Sequence, residues 1–474
     1  MLAAIPFLAA APFFADPFQH DEAVYAVVAR GIPGGAVPYR DLFDHKPPGI
    51  YGIFLVAFAV FGEHPWGVRV LGAGAFSASL IATMWTARML WPASRLPAVA
   101  AGVVMAAASG AAILEPTSNT EPFMLAALSW SFALALHSRH ADGWRTAFVS
   151  GACGAIALLI KPVAAPNLAL VLATPGSRTK TASWMAGFAV PFAALGGVML
   201  ATGTLAEAVY ANLRFNLLYG ANGTWPERLT HLEHNSLVVG LCLAPVVAAA
   251  LLGLLVALGR RQRSDVVVLA WAGLSAIGVA MVGRFYAHYF TQIIPALALL
   301  AAAGLVPGGF AVWHHPPRRV IAAGILAASL VTAASMNLSV YTANGSLARA
   351  AAKEGPGVLE RRSESTEVAA YLHERMRKGD QIILFGRETQ LLWELDRPSA
   401  SRFIFDVPLW IDPANLAEFE SDIVSGDALY IVDWVSALAG AETDLNVAAV
   451  RRVIASRYDL EAEFGTAKVY RLRQ

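Results

Sequence analysis

Four short stretches of this chain combine acids, cations and aromatic residues at spacings that suit chemistry. In the first, Phe18-Gln19-His20-Asp21-Glu22, two adjacent acids open an amphipathic pattern with Ala23, Val24, Val27 and Val28 on its apolar side and Arg30 opposite. Acids at a helix start favour the helix dipole. A carboxylate held at a membrane surface can also take the proton of an attacking hydroxyl. The second stretch, Tyr39-Arg40-Asp41-Leu42-Phe43-Asp44-His45-Lys46-Pro47-Pro48-Gly49, ends in a stiff turn that fixes His45 and Lys46. It reads as a capped loop or as a site. Asp41, Asp44 and His45 are weak metal candidates at this spacing, so no cofactor is assigned and a divalent metal stays open. The third, Glu115-Pro116-Thr117-Ser118-Asn119-Thr120-Glu121-Pro122, puts Glu121 at a helix start, an ordinary place for an acid, and also where it can face the same cavity as Asp21. The fourth, Gly283-Arg284-Phe285-Tyr286-Ala287-His288-Tyr289-Phe290, runs straight into an apolar helix with Gln292 and Pro295. An interfacial aromatic belt explains its rings. It does not explain Arg284 with His288, which are costly there unless they line a wet or ligand-filled site.

The elements that must hold these residues are mostly membrane helices. The 474 residues are 57% hydrophobic and 15% charged, with positive mean hydropathy. A soluble chain carries roughly a quarter charged residues. A bilayer core of about 30 Å needs about 20 apolar residues as a helix. The sequence predicts about 11 spans, near 1–14, 67–87, 96–114, 122–137, 146–160, 163–174, 182–202, 236–258, 265–282, 287–306 and 319–336. The pair 146–174 is broken at Lys161-Pro162. The first stretch has neither a basic start nor a small-residue cleavage pattern before Asp16, so it is expected to stay as a helix. The run from Ile50 to Phe61 is short enough to lie in the interface, and helices at His20–Arg30 and Leu205–Leu218 are expected on the outer surface. Placing the short basic loops inside puts all four clusters, and everything after 336, on the outer side. Arg30, Arg40, Lys46, Lys161, Arg214, Arg228 and Arg284 then sit outside, against the usual charge bias, which suggests an anion site.

Residues 1–340 are thus expected to form one membrane domain and 341–474 a small extracytoplasmic α/β domain. In the latter, a helix over 364–378 precedes strands near 381–386, 427–432 and 467–472, with a helix at 447–456. It has no Gly-rich phosphate loop and no His/Cys cluster with metal spacing. Composition excludes a wholly cytosolic enzyme, a disordered chain and a disulfide-stapled secreted domain. A net charge of +1 gives no footprint for nucleic acid. Cys153 and Cys242 lie in apolar runs and read as small buried hydrophobes. Abundant Gly and Ala predict close helix packing.

In order along residues 1–340, Asp21-Glu22, Asp44-His45-Lys46-Pro47-Pro48, Thr120-Glu121-Pro122, Lys161-Pro162 and Arg284 to Tyr289 leading into Gln292-Ile293-Ile294-Pro295 resemble the GT-C superfamily of glycosyltransferases, of the protein-O-mannosyltransferase and aminoarabinose-transferase type. The resemblance implies an integral membrane transferase that moves a sugar from a polyisoprenyl-phosphate donor to an acceptor on the outer face, with inversion. It implies Asp21 as base, Glu22 beside it, and Glu121 as a second acid that positions the acceptor or a cation. Lys46, Lys161, Arg284, His288 and Tyr289 would surround the donor phosphate. His45 stands where some relatives carry an acid, and Glu121 is one methylene longer than Asp. The membrane lipid and the lipid-linked donor are the implied partners.

Three rivals share parts of this pattern. A transporter or flippase of a lipid-linked or anionic substrate would place its ionisable residues near the midplane of broken helices. Here they gather at one surface. A glycan polymerase or ligase of related fold shares the membrane, the outer-face chemistry and the carrier. A scaffold leaves the acids and cations unexplained.

Overall fold

A computed structural model describes residues 1–111, 118–139, 143–174, 176–305, 316–354, 357–435 and 441–473. Glu115, Pro116 and Thr117 of the third cluster lie outside them. The chain divides into two compact units: Met1–Asp16, Ala57–Gly197 and Gly223–Ala343 in one, Pro17–Val56, Val198–Asn222 and Asn344–Gln474 in the other.

The first unit is a helical bundle, and among the described residues every expected span overlaps a helix, those near 96–114 and 287–306 extending beyond the described residues. Among the described residues, fewer helices than expected are long and apolar enough to cross a bilayer alone. Pro65–Leu90, Arg178–Ala201, Arg263–Ala280 and Val320–Thr342 are long and apolar enough, and Trp225–Cys242 with Ala244–Arg260, bent by 94°, makes a fifth if counted as one. Two of the others are shortened by identifiable breaks. Pro162 ends one helix and opens a 3₁₀ turn over Pro162–Ala164, and a second 3₁₀ stretch, Ala287–Ile293, precedes the helix Ile294–Ala303 with its early Pro295. Small residues close the bundle, as the composition implied. A Cβ on Gly151 would run into the Trp184 carbonyl, on Gly187 into that of Phe148, and on Gly253 into that of Leu300. Serines knit the same helices: the Ser131 hydroxyl donates to the Ser150 carbonyl at 2.7 Å and Ser150 returns the bond at 2.6 Å.

The second unit is built on a four-stranded sheet, β1 (Gln381–Phe385), β2 (Ala428–Asp433), β3 (Tyr458–Phe464) and β4 (Ala467–Leu472), in the order β1-β2-β4-β3. β1 and β2 run parallel, and the other pairs are antiparallel. β3 is absent from the sequence reading because it is a largely exposed edge strand with no apolar run to mark it. The expected helix at 364–378 forms earlier, over Gly357–His373. Two segments from the membrane half of the sequence join this unit: Pro17–Val56, with the helix His20–Gly31, and Val198–Asn222. The latter carries one continuous helical stretch, Leu205–Val209, a π-helical turn Tyr210–Phe215, and Asn216–Ala221.

Candidate active site

In the second unit, the helix His20–Gly31 starts with Gln19 as its cap. Glu22 reaches back to accept the Gln19 backbone N–H at 2.9 Å, while the Gln19 side chain accepts the N–H of Glu22, a capping box that satisfies two otherwise orphaned donors. Glu22 is buried in that role, and Asp21, one residue earlier, is only half-buried at the helix mouth. The helix is held from its far side. Arg30 lies 3.3 Å over the Trp393 ring and donates to the Trp393 carbonyl at 2.8 Å, and Phe18 meets the same ring edge-on at 5.0 Å. His20 packs on Phe405 at 6.0 Å. Burial lowers the His20 pKa, against the raising influence of Asp21 and Asp406.

The loop that bears Lys46 is pinned at every step. Tyr39, at φ +72°, takes a left-handed conformation that side chains rarely adopt, and its hydroxyl donates to the Lys46 carbonyl at 2.9 Å. Phe43 pairs with Phe403, its N–H donating to the Arg402 carbonyl at 2.7 Å. Asp44 is buried and accepts the Tyr51 hydroxyl at 2.9 Å and the His45 N–H at 2.6 Å. Burial pushes its carboxyl up to about 6; Lys46, Tyr51 and the His45 N–H restrain the rise, and Asp21 adds to it. Lys46 Nζ donates to His45 Nε2 at 3.0 Å. The second unit therefore holds Asp21, Glu22, Asp44, His45 and Lys46, with Asp21 close enough to act electrostatically on Asp44.

The first unit gathers Glu121, Lys161, His288 and Tyr289. Asn119 caps the helix Thr120–Ser138, its side chain accepting the Thr120 N–H at 2.7 Å. Glu121 follows, 1% exposed at its side chain. Lys161 Nζ donates to Glu121 Oε1 and stands 4.0 Å from the Tyr289 ring centroid. His288 Nε2 lies 3.8 Å from the same carboxylate oxygen, and the Thr120 hydroxyl donates to the other at 3.1 Å. The turn that presents Lys161 is locked by Gln292, which donates to the Val163 carbonyl at 2.9 Å and to Asn167 Oδ1 at 2.9 Å.

Arg284 keeps other company. It stands between two left-handed residues, Gly283 at φ +66° and Phe285 at φ +50°. Phe285 has no glycine's excuse, and such backbone strain collects where a side chain must be aimed. The guanidinium lies against Gly223, where a Cβ would sit 3.3 Å from Nη1, and acts electrostatically on Glu227. Gly283 in turn leaves room for the Arg228 guanidinium.

Sequence reading missed the supporting roles of Tyr39 and Gln292, and missed Tyr51, Arg69 and Asn216, whose Nδ2 donates to the His45 carbonyl at 2.8 Å. Arg69 is buried within Pro65–Leu90 and donates to the backbone carbonyls of Phe13 and Asp16. A lone arginine inside an apolar run was its only signal. Among the described residues no three His, Cys, Asp or Glu side chains converge to hold a metal. Asp44 and His45 are engaged with Tyr51, the loop backbone and the Lys46 ammonium, a poor setting for a further cation.

No family model and no curated protein sequence matches the chain. Its fold matches solved structures. ArnT from Cupriavidus metallidurans bound to undecaprenyl phosphate aligns over 99% of this chain and 96% of its own at 17% identity, with a TM-score of 0.56. The archaeal oligosaccharyltransferase AglB from Archaeoglobus fulgidus, in complex with an inhibitory peptide and a dolichol-phosphate, aligns over 100% of this chain and 74% of its own at 12% identity, with a TM-score of 0.55. The likeness is one of fold, the GT-C fold, and the chain carries four described helices, five with the bent pair counted as one, long and apolar enough to cross a membrane, which supports a multi-pass membrane protein.

Proposed function

We propose that this protein transfers a sugar from a polyisoprenyl-phosphate carrier to an acceptor hydroxyl or phosphate, with inversion at the anomeric carbon. The observation that carries this reading is the GT-C fold combined with a half-buried carboxylate, Asp21, on a capped and cross-braced helix start. Asp21 accepts the acceptor's proton as its oxygen attacks the anomeric carbon. The bond from that carbon to the phosphate oxygen breaks, and its electron pair leaves with the polyprenyl phosphate. Lys46, Lys161, Arg284 and His288 stabilise the charge that grows there, and Tyr289 backs Lys161. Glu22 holds the helix start, and Glu121 is the counter-charge that fixes Lys161. The donor's tail stays in the lipid. Residues 1–340 are the catalytic membrane domain and 341–474 an extracytoplasmic domain, in the plasma membrane with the reaction on the outer face.

The test is transfer by purified protein from a panel of polyprenyl-phosphate sugars in detergent. Asp21→Asn is expected to lower turnover about 10²–10⁴-fold, as for a lost general base, with the fold and undecaprenyl phosphate binding retained. Near-normal turnover in that variant would remove Asp21 from the role. Vesicle uptake or flipping of the carrier without glycosyl transfer would favour a transporter.

A further inference from the structure

The short sequence Asp44-His45-Lys46 is arranged as a chain of contacts rather than as three independent charges. One of the three Lys46 Nζ–H groups donates a hydrogen bond to His45 Nε2 at 3.0 Å. An imidazole nitrogen that accepts from an ammonium carries a lone pair, so the ring proton sits on Nδ1. That nitrogen faces Asp44 Oδ1 at 3.4 Å. The charge of the buried carboxylate beside Nδ1 favours this tautomer, in which His45 is an acceptor for Lys46.

The ring is also clamped. Phe215 and Tyr219 lie 5.5 and 5.2 Å from the His45 ring centroid, and Phe405 lies at 6.3 Å. Asn216 Nδ2 donates to the His45 carbonyl at 2.8 Å. Phe215 ends a π-helical turn, Tyr210–Phe215, and Asn216 and Tyr219 come directly after it. A π turn widens the helix by one residue and rotates the residues beyond it, and such turns recur at functional sites. Tyr210 anchors the turn from below through Asp412 Oδ2 at 2.7 Å and Asn415 Oδ1 at 3.0 Å. All of these residues belong to the same unit.

We propose that His45 is a positioning residue for Lys46: held by the π-helical turn and Asn216, with Asp44 beside its Nδ1, it accepts a hydrogen bond from one ammonium N–H and leaves the other two N–H groups for an anionic phosphate oxygen. This rests on the reading of Lys46 as a ligand of the donor phosphate. A free lysine on a flexible four-carbon stem loses entropy when it binds a point anion, and His45 removes part of that loss in advance.

The experiment is a titration of the detergent-solubilised full chain with undecaprenyl phosphate, alongside donor KM and kcat where transfer is measurable. His45→Phe keeps the ring between Phe215, Tyr219 and Phe405 but deletes the acceptor. It is expected to weaken binding and raise donor KM about five- to tenfold, with kcat changed less than threefold. His45→Gln, which restores an acceptor, is expected to recover most of that loss. Asn216→Ala is expected to move in the same direction as His45→Phe, by a smaller factor. A purely structural role would lower the active fraction, and so kcat, without moving affinity. Wild-type affinity in His45→Phe, with Lys46→Ala strongly weakened, overturns the inference and leaves the phosphate reading standing. Wild-type affinity in Lys46→Ala overturns that reading itself. Equal loss in His45→Phe and His45→Gln also overturns the inference, because acceptance would not be what matters.

Discussion

Glu121 and Lys161 form a buried ion pair, and their value depends on one another. Breaking such a pair strands one charge in a low dielectric and costs about 3–5 kcal/mol. Glu121→Gln is therefore expected to lower the thermal midpoint in detergent sharply, since Lys161 is only 7% exposed. The double change Glu121→Gln with Lys161→Met is expected to lose much less than the sum of the two single changes, which a double-mutant cycle by thermal unfolding measures. Two other buried acids give a pH signature. Burial pushes Asp44 up to about 6 and Glu388 up to about 7, from ordinary values of 3.8 and 4.5. A raised folded pKa means the folded state holds its proton longer. Its stabilising contribution is complete below the unfolded value and is lost as pH rises through the folded one. Stability of the second unit is thus expected to fall from about pH 4, near the unfolded values, to about pH 7, near the folded ones. Glu388→Gln should flatten the upper part of that fall, read as thermal midpoint against pH. The acids and cations themselves were legible as residue types. Which acid caps and which faces out was not, because Asp21 and Glu22 differ only in how a capping box uses the third helical residue.

At the level of elements, hydrophobic periodicity identified helices because apolar faces repeat at 3.6 residues. It could not count crossings, because proline breaks and 3₁₀ turns shorten helices without changing composition. It could not see the π turn at Tyr210–Phe215, where one residue of extra winding leaves no compositional mark. The left-handed residues Tyr39 and Phe285 were equally hidden, since aromatic side chains give no cue for φ > 0. The stripe Leu205, Val209, Leu213 and Leu217 was legible, and all four side chains are exposed, Leu217 at 67%. Four large apolar residues facing out along one helix need an apolar medium. They come soon after Arg178–Ala201, a helix apolar enough to cross a membrane and only 11% buried over its most apolar window. Insertion of this stripe into the bilayer interface is expected. A fluorophore on Leu217→Cys, in a Cys153→Ser, Cys242→Ser background in nanodiscs, should show emission quenched by lipids brominated near the head-group end of the chain. No quenching at any bromine depth would mean the stripe meets water or protein instead.

The whole molecule is organised differently from its sequence order. The residues after 344 share a compact unit with Pro17–Val56 and Val198–Asn222, so the sheet domain braces the segments that carry Asp21 and Lys46. Two separate braces do this work. Trp393 holds the Asp21 helix through Arg30 and Phe18. Arg402 holds the Lys46 loop, donating to the Tyr39 carbonyl at 3.1 Å while Glu418 grips its guanidinium at 2.6 Å. This separation makes the two functions dissociable. Trp393→Ala removes the stacking surface under Arg30 and leaves the Phe43–Phe403 pairing and Arg402 in place. It is expected to lower kcat about tenfold or more while undecaprenyl phosphate affinity stays within twofold. Arg402→Ala removes the brace on Tyr39 and is expected to weaken that affinity several-fold with a smaller effect on kcat. Circular dichroism and thermal unfolding of both variants guard against a general loss of folding. If both variants instead lose affinity and turnover in parallel, the sheet domain acts as one undivided support, and the assignment of Asp21 and Lys46 to distinct steps loses its structural basis.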